Sequence, residues 1–288
     1  MALAATDAPS VVELDAGPIG YRSVGPEDGP VVVFVHGVLV DGSLWHATAD
    51  RLAEKGYRAI TPTWPLGAHV RPMAPDADLS PRGVARIVLD FLAALDLSHV
   101  TLVGNDTGGA ICQFVLDTDP SPVDRLVLTN CDSFRHFPPA AFKPLFWLGR
   151  LPGAAWALAQ PMRSRFVRHL NFRPLVAKAA SLDADRTRAW ITPLLTDRAV
   201  RRDVRKLFSG IKPKDLADVG SRLGRFDRPV LLAWAPKDPF FRLAHARRLA
   251  ATFPDAHLVE VPGARTFIPL DQPTPLATHI AAFVPQPR

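Results

Sequence analysis

Cysteine is scarce in this 288-residue chain. Cys112 and Cys131 are the only two, and their spacing fits neither a disulfide scaffold nor a thiolate metal centre. Both thiols are expected to lie reduced in the core of an intracellular, cytoplasmic protein. No run approaches 18 consecutive apolar residues, so no membrane-spanning helix is expected. The opening Met1-Ala-Leu-Ala-Ala-Thr-Asp7 carries neither the basic nor the long apolar stretch of an export signal. Zinc-finger spacings, RNA-recognition motifs and basic runs interleaved with aromatics are missing, which argues against nucleic acid as a partner. A phosphate-binding glycine loop and clusters of metal-ligating side chains are missing too, so neither a metal nor an organic cofactor is implied.

What remains is an ordinary globular composition. With 48% hydrophobic and 22% charged residues, disorder, collagen and coiled coil are excluded, and the length suits one large domain or two small ones. The net charge of +6 is unevenly spread. Residues 134–228 hold 20 Lys/Arg against 7 Asp/Glu, a balance of +13, while the remainder holds 14 against 21, or −7. Such a basic segment suits an anionic substrate, an acidic partner or a membrane surface, and equally a set of solvated, arginine-rich helix faces.

Strand and helix patterns alternate over the first 130 residues. Residues 11–14 and 19–24 read as a hairpin around Ala16-Gly17-Pro18. Pro30-Val-Val-Val-Phe-Val35 has the continuous β-branched run of a strand buried on both faces, and it leads directly into His36-Gly37. A helix is expected over 44–55, ended by Gly56, then a strand over 57–61. Ser80 and Pro81 open a helix to about residue 95. A strand at 100–103, a helix over 104–117 and a strand at 125–129 follow. Residues 134–228 break the alternation, with scattered prolines, Trp147, Trp156 and Trp190, helical periodicity and no clear strand. The alternation resumes with a strand at 230–234, a helix at 243–253, a strand at 257–261 and a helix at 273–283, before a tail at 284–288 expected to fray. This order predicts an α/β fold: a parallel sheet with helices on both faces, and an all-helical insertion serving as a cap. The boundaries are 1–133 and 229–288 for the core and 134–228 for the cap.

One strand-to-helix turn carries chemistry. Val103-Gly104-Asn105-Asp106-Thr107-Gly108-Gly109 sets a carboxylate between glycines, the pattern that lifts a side chain above the sheet. Backbone N–H groups at the helix start, that of Thr107 above all, favour negative charge there, and the Val38 N–H after His36-Gly37 is a second donor for an oxyanion hole. The alternative for Asp106 is a plain helix N-cap.

Together, His36-Gly37, the Gly104-Asn-Asp106-Thr-Gly108 elbow, the helical cap and Asp238 in Ala-Trp-Ala-Pro-Lys-Asp238-Pro-Phe resemble the α/β-hydrolase fold over nearly the whole chain. The resemblance implies a mostly parallel eight-stranded sheet with the cap inserted after strand six. An Asp at the elbow is similar to haloalkane dehalogenases and epoxide hydrolases, in which the Asp forms an alkyl ester that a His-activated water hydrolyses. It implies Asp106 as nucleophile, Asp238 as acid, and Val38 and Thr107 as oxyanion donors.

The chain departs from that family at several positions. Thr266 stands where the resemblance places the catalytic His, in Gly263-Ala-Arg-Thr266-Phe-Ile-Pro-Leu-Asp271-Gln-Pro273, and a threonine hydroxyl takes up no proton near pH 7. Thr107 replaces the halide-binding Trp of dehalogenases and Val38 replaces their Asn. No tyrosine lies in the cap to protonate an epoxide, and Leu39 interrupts the His-Gly-x-Pro turn. Other residues weighed for the pocket are Asn105, the pair Asp132 and His136, His36, which in the fold so resembled supports the loop, and Trp45 and Trp64, which suit core and pocket wall equally. Asp238 itself is a candidate to activate water. His245 and His279 read as helix-surface or helix-packing residues, and His46, His69, His99, His169 and His257 have no partner visible in sequence.

The expected function is a hydrolase-like enzyme acting on a small apolar, halogenated, epoxide or ester-like molecule, its hydrolytic step impaired or its base supplied from elsewhere. A lyase, isomerase or cyclase in the same pocket, or a ligand-binding relative without turnover, are the alternatives. No oligomeric state is implied.

Overall fold

The computed structural model describes residues 10–286. One eight-stranded sheet runs β1 (Ser10–Leu14), β2 (Gly17–Val24), β3 (Val31–Val35), β4 (Arg58–Pro62), β5 (Val100–Asp106), β6 (Val123–Cys131), β7 (Val230–Trp234) and β8 (Ala256–Glu260). Its spatial order is β1-β2-β4-β3-β5-β6-β7-β8. The β1–β2 and β2–β4 pairs are antiparallel and all others parallel. The Val-, Leu- and Phe-rich runs of β3, β5, β6 and β7 are buried almost throughout, as strands covered on both faces must be.

Helices α1 (His46–Ala53), α2 (Pro81–Ala94) and α3 (Thr107–Thr118) follow β3, β4 and β5. Between β6 and β7 the chain is helical: α4 (Lys143–Leu148), α5 (Ala154–Ala159), α6 (Arg165–Phe172), α7 (Ala184–Thr196), α8 (Arg198–Gly210) and α9 (Pro213–Gly220). The chain finishes with α10 (Leu243–Ala250), α11 (Ile268–Asp271) and α12 (Pro273–Phe283). α1 packs with α12 and α2 with α3, the two pairs covering the sheet. Among the described residues no helix is long and apolar enough to cross a membrane.

The eight-stranded, mostly parallel sheet meets the expectation, and local boundaries shift. β5 continues through Asp106, because after its pairing with β3 stops at Gly104 it stays paired with β6, Asp106 opposite Cys131, so α3 starts at Thr107 rather than at Gly104. The helix expected over 44–55 opens as a 3-10 turn at Gly42–Trp45, because the Asp41 carboxylate accepts from Ser43 N–H at 2.9 Å and sets the start earlier. Ser80 caps α2 through Gly83 N–H at 3.2 Å, and Gly56 takes the left-handed conformation, φ 86°, that ends a helix. Of the tail expected to fray, Val284 is packed in the core. The readings made on residues 1–9 and 287–288 lie outside the described residues.

Candidate active site

The sheet reverses its winding direction between β3 and β5, which creates a crevice at the carboxyl ends of those strands. The two strands are in register with Val35 opposite Gly104, so the loop after β3 meets the turn after β5. Asp106 stands at that turn with φ 54° and ψ −130°, a conformation side-chain-bearing residues rarely adopt. The turn needs small neighbours: a Cβ on Gly104 would lie 2.7 Å from both Cys112 Sγ and Gly109 Cα, and one on Gly37 would fall on the Asp106 carboxyl group.

Burial pushes the Asp106 carboxyl up from its ordinary value. The Thr107 N–H pulls it down, the nearby Asp238 charge pushes it up, and the Val38 N–H pulls it down again, leaving it at about 7. Asp106 is therefore an ionisable group at neutral pH, with both expected amides acting on its carboxylate.

Asp238 is sealed in. Its Oδ1 accepts from Phe240 N–H at 2.7 Å and Phe241 N–H at 3.0 Å, and its Oδ2 from Thr266 Oγ1 at 2.8 Å and Asn130 Nδ2 at 2.9 Å. A carboxylate offers about four lone-pair positions, and all are taken. Asp238 therefore has no acceptor left for a water, contrary to the expectation that it could activate one. Thr266 is fully buried and donates to that acid. Neither Thr266 nor Asp238 lines the cavity, whereas the adjacent Phe267 does.

Several residues expected at the pocket are placed elsewhere. His36 Nδ1 lies 2.8 Å from the Gly37 carbonyl and must donate to it, so Nε2 accepts from Trp64 N–H at 2.8 Å. Desolvation lowers its pKa to about 4, against the upward pull of the Gly37 carbonyl. His36 is a neutral brace of the loop and has no nitrogen free to act as base. Trp45 stacks on Phe34 at 4.7 Å between ring centroids, and Trp64 donates from Nε1 to the Phe34 carbonyl at 3.0 Å; both belong to the core. Asn105 points back into the sheet, donating to Thr129 Oγ1 at 2.9 Å and to the Thr266 carbonyl at 2.7 Å.

The expected pairing of Asp132 with His136 does not form. His136 donates from Nε2 to the Phe240 carbonyl at 2.8 Å and stacks on His245 at 4.4 Å, while Asp132 turns inward. Asp132 Oδ2 accepts from Thr107 Oγ1 at 3.2 Å, and Oδ1 has no partner. Burial first, and the Asp106 charge second, push the Asp132 carboxyl well above its ordinary range beneath the elbow.

A cavity of about 500 Å³ opens above Asp106. Val38, Leu39 and Thr107 form its floor, and Phe142, Phe146, Met162, Phe172, Leu194 and Phe208 of the helical insertion enclose it with Phe267. Asp106 is the one charged residue in a lining otherwise almost wholly apolar.

Sequence reading missed Asn130 and the structural task of Asp271. Asn130 holds the Asp238 turn through bonds from Nδ2 to the Ala235 and Phe241 carbonyls at 3.2 and 3.3 Å, and its Oδ1 accepts from Ala235 N–H at 2.7 Å. An amide ending the apolar run Leu126-Val-Leu-Thr-Asn130 is the signal that could have found it. Asp271 accepts from Ala177 N–H, Ser181 Oγ, Lys178 N–H and Arg265 N–H at 2.6, 2.8, 3.1 and 3.2 Å, tying the helical insertion to the Thr266 loop.

An elbow acid at the switch point of an eight-stranded sheet, roofed by helices between β6 and β7, defines the class: the chain belongs to the alpha/beta hydrolase fold family, which its sequence matches over residues 30–273. Among its relatives is haloalkane dehalogenase 2 of Mycobacterium tuberculosis, 29% identical over 283 residues that cover 92% of this chain and 90% of that protein. Another is the cis-3-alkyl-4-alkyloxetan-2-one decarboxylase of Xanthomonas campestris pv. campestris, 27% identical over 281 residues and 92% of each chain. The chain spans about a third of the length of uncharacterized Mycobacterium proteins that it matches at 31% identity over 110 residues. The crystal structure of Cfl2 from Burkholderia cenocepacia shares the fold, with a TM-score of 0.80, 18% identity and coverage of 96% of this chain and 95% of that one.

Proposed function

We propose that the protein is an enzyme in which Asp106 attacks an electrophilic carbon of a small apolar, halogenated, epoxide or ester-like molecule. One observation carries this reading: a carboxyl group with a pKa of about 7 faces an apolar cavity of about 500 Å³ from a strand-to-helix elbow. The helical insertion 134–228 acts as the cap that keeps water from the bound molecule. One carboxylate oxygen of Asp106 forms the C–O bond, and the halide leaves with the electrons of the broken C–X bond. The Val38 and Thr107 N–H groups orient the carboxylate and hold oxyanion charge in any later step.

The second half-reaction lacks a base. Thr266 stands at the histidine position, His36 is locked neutral, and Asp238 is saturated with donors. The ester should therefore persist. Incubation with 1-haloalkanes should add the substrate mass less HX to the intact protein, with a rate that rises with pH around a midpoint near 7 as Asp106 ionises. Asp106→Asn should form no adduct, and Thr266→His should turn a persistent adduct into steady product release. Absence of both adduct and product across haloalkanes and epoxides would sink covalent chemistry and leave a binding role.

The lack of a free base also favours a second reading, a lyase that opens a strained ring without activating water. Ring scission of an alkyl-substituted 2-oxetanone, the substrate class in the name of the Xanthomonas relative, consumes no water. Release of CO2 and an alkene without an adduct would select this reading over hydrolysis.

A further inference from the structure

Of the nine exposed large apolar side chains among the described residues, seven lie between Trp147 and Leu170 of the insertion, Val11 and Val70 being the other two. Phe166 is 73% exposed, Trp147 64% and Leu170 61%, and Leu151 and Trp156 stand half out of the surface. Phe166 and Leu170 are one turn apart on α6 and project from the same side, while Arg168 and Phe172 face inward. Isolated surface apolar residues are ordinary, but a clustered aromatic and aliphatic patch marks a contact surface.

Charge identifies what that surface meets. From Phe134 to Leu182 there are eight Lys/Arg and no Asp or Glu. Beside this stretch, Arg198, Arg201, Arg202 and Arg205 follow one another along α8 and line a groove of about 390 Å³ closed by Trp156 and Leu151. Arg163, Arg165, Arg198 and Arg205 make no ion pair among the described residues. Acids in and before α8 are already engaged, Asp185 with Arg188 at 3.1 Å, Asp197 with the Ala199 and Val200 N–H groups and Asp203 with Arg202 at 2.8 Å. Unpaired arginines around exposed Trp, Phe and Leu match the headgroup-plus-acyl chemistry of an anionic bilayer surface. A soluble polyanion would satisfy the arginines and leave the apolar side chains in water.

The cavity mouth lies on the same face. Leu158, Pro161 and Asn171 belong both to the cavity wall and to the outer surface, between the exposed faces of α5 and α6. We propose that this face of the helical insertion docks on an anionic phospholipid surface, with Trp147, Phe166 and Leu170 in the interface and Arg198 and Arg205 on the phosphates. An apolar molecule dissolved in the bilayer then meets the mouth without crossing bulk water. The docking surface is independent of the chemistry of Asp106, and its test needs no substrate.

The test is co-sedimentation of the full chain with vesicles of phosphatidylcholine alone and with phosphatidylglycerol added, alongside tryptophan fluorescence. Trp45, Trp64, Trp190 and Trp234 are fully buried, so a change in emission reports Trp147 and Trp156. Binding is expected only with phosphatidylglycerol, weakening with salt, with a blue shift in emission. Arg198→Gln and Arg205→Gln should each lower affinity about fivefold, and Phe166→Ser with Leu170→Ser roughly tenfold or more, with far-UV spectra unchanged. Equal binding to both vesicles, no binding to either, full release by inorganic phosphate, or a blue shift that tracks protein self-association without lipid would each overturn the proposal.

Discussion

A carboxyl held near pKa 7 inside a folded protein carries a stability signature as well as a reactivity. The unfolded Asp106 ionises near pH 4 and the folded one near 7, so between those values the native chain keeps a proton that the unfolded chain has released. Stability must fall as pH rises through that window and level off above it, by roughly 4 kcal/mol for a separation of this size. Asp106→Asn removes the ionisation without changing the side-chain shape. Urea unfolding at a series of pH values should show the variant more stable than the parent at pH 8 and close to it at pH 4. Parallel profiles for the two proteins would mean that Asp106 is solvated and its pKa ordinary. His36 shows the same burial with the shift in the other direction: desolvation disfavours its charged form too, which for a base lowers the pKa, to about 4.

Among the elements, the link between the helical insertion and the last loop of the core is concentrated in one side chain. Asp271 receives four donors, three of them from residues 177–181, and Phe267 N–H donates to the Leu175 carbonyl at 2.9 Å. Phe267 and Leu175 both line the cavity, so this junction sets the shape of its wall. Asp271→Ala takes the acceptor from the part-buried Ala177, Lys178 and Arg265 N–H groups and should cost about 2 kcal/mol in chemical denaturation; a loss under 1 kcal/mol would show that water replaces the carboxylate. A second tie joins Asp203 to His69 at 3.3 Å, to Met73 N–H at 2.9 Å and to Arg202 at 2.8 Å. Burial pushes the Asp203 carboxyl up, but these bonds outweigh it and hold the group below its usual range. Such ties explain what was legible in the sequence and what was not. Gly104, Asp106 and His36-Gly37 were readable because strand-to-helix turns impose local spacing rules, and the strands because burial on both faces writes continuous apolar runs. The Asp203–His69 and Asp271–Ala177 contacts join residues 134 and 94 positions apart and leave no local trace. The cavity wall was equally silent, since Phe142, Met162 and Phe208 carry the pattern of any amphipathic helix.

At the scale of the whole molecule, cohesion is uneven. The sheet core is closed on both faces, whereas α5 buries little beyond Ala159, and α6 buries Arg168 and Phe172. Local opening should therefore begin in the insertion. Hydrogen–deuterium exchange followed by mass spectrometry should show amides of residues 143–172 exchanging well before those of β3, β5 and β6, and simultaneous exchange of the two regions would contradict the picture. Under the proposed function, an apolar guest would enter through this less cohesive part, over a carboxyl already poised between two protonation states. A guest that expels water from above Asp106 raises the cost of its charge, so filling the cavity draws a proton from solution. Affinity for neutral molecules and acidity of the medium thereby become one thermodynamic quantity: each added proton tightens the hold on the guest, and each guest bound leaves the surrounding buffer slightly more basic.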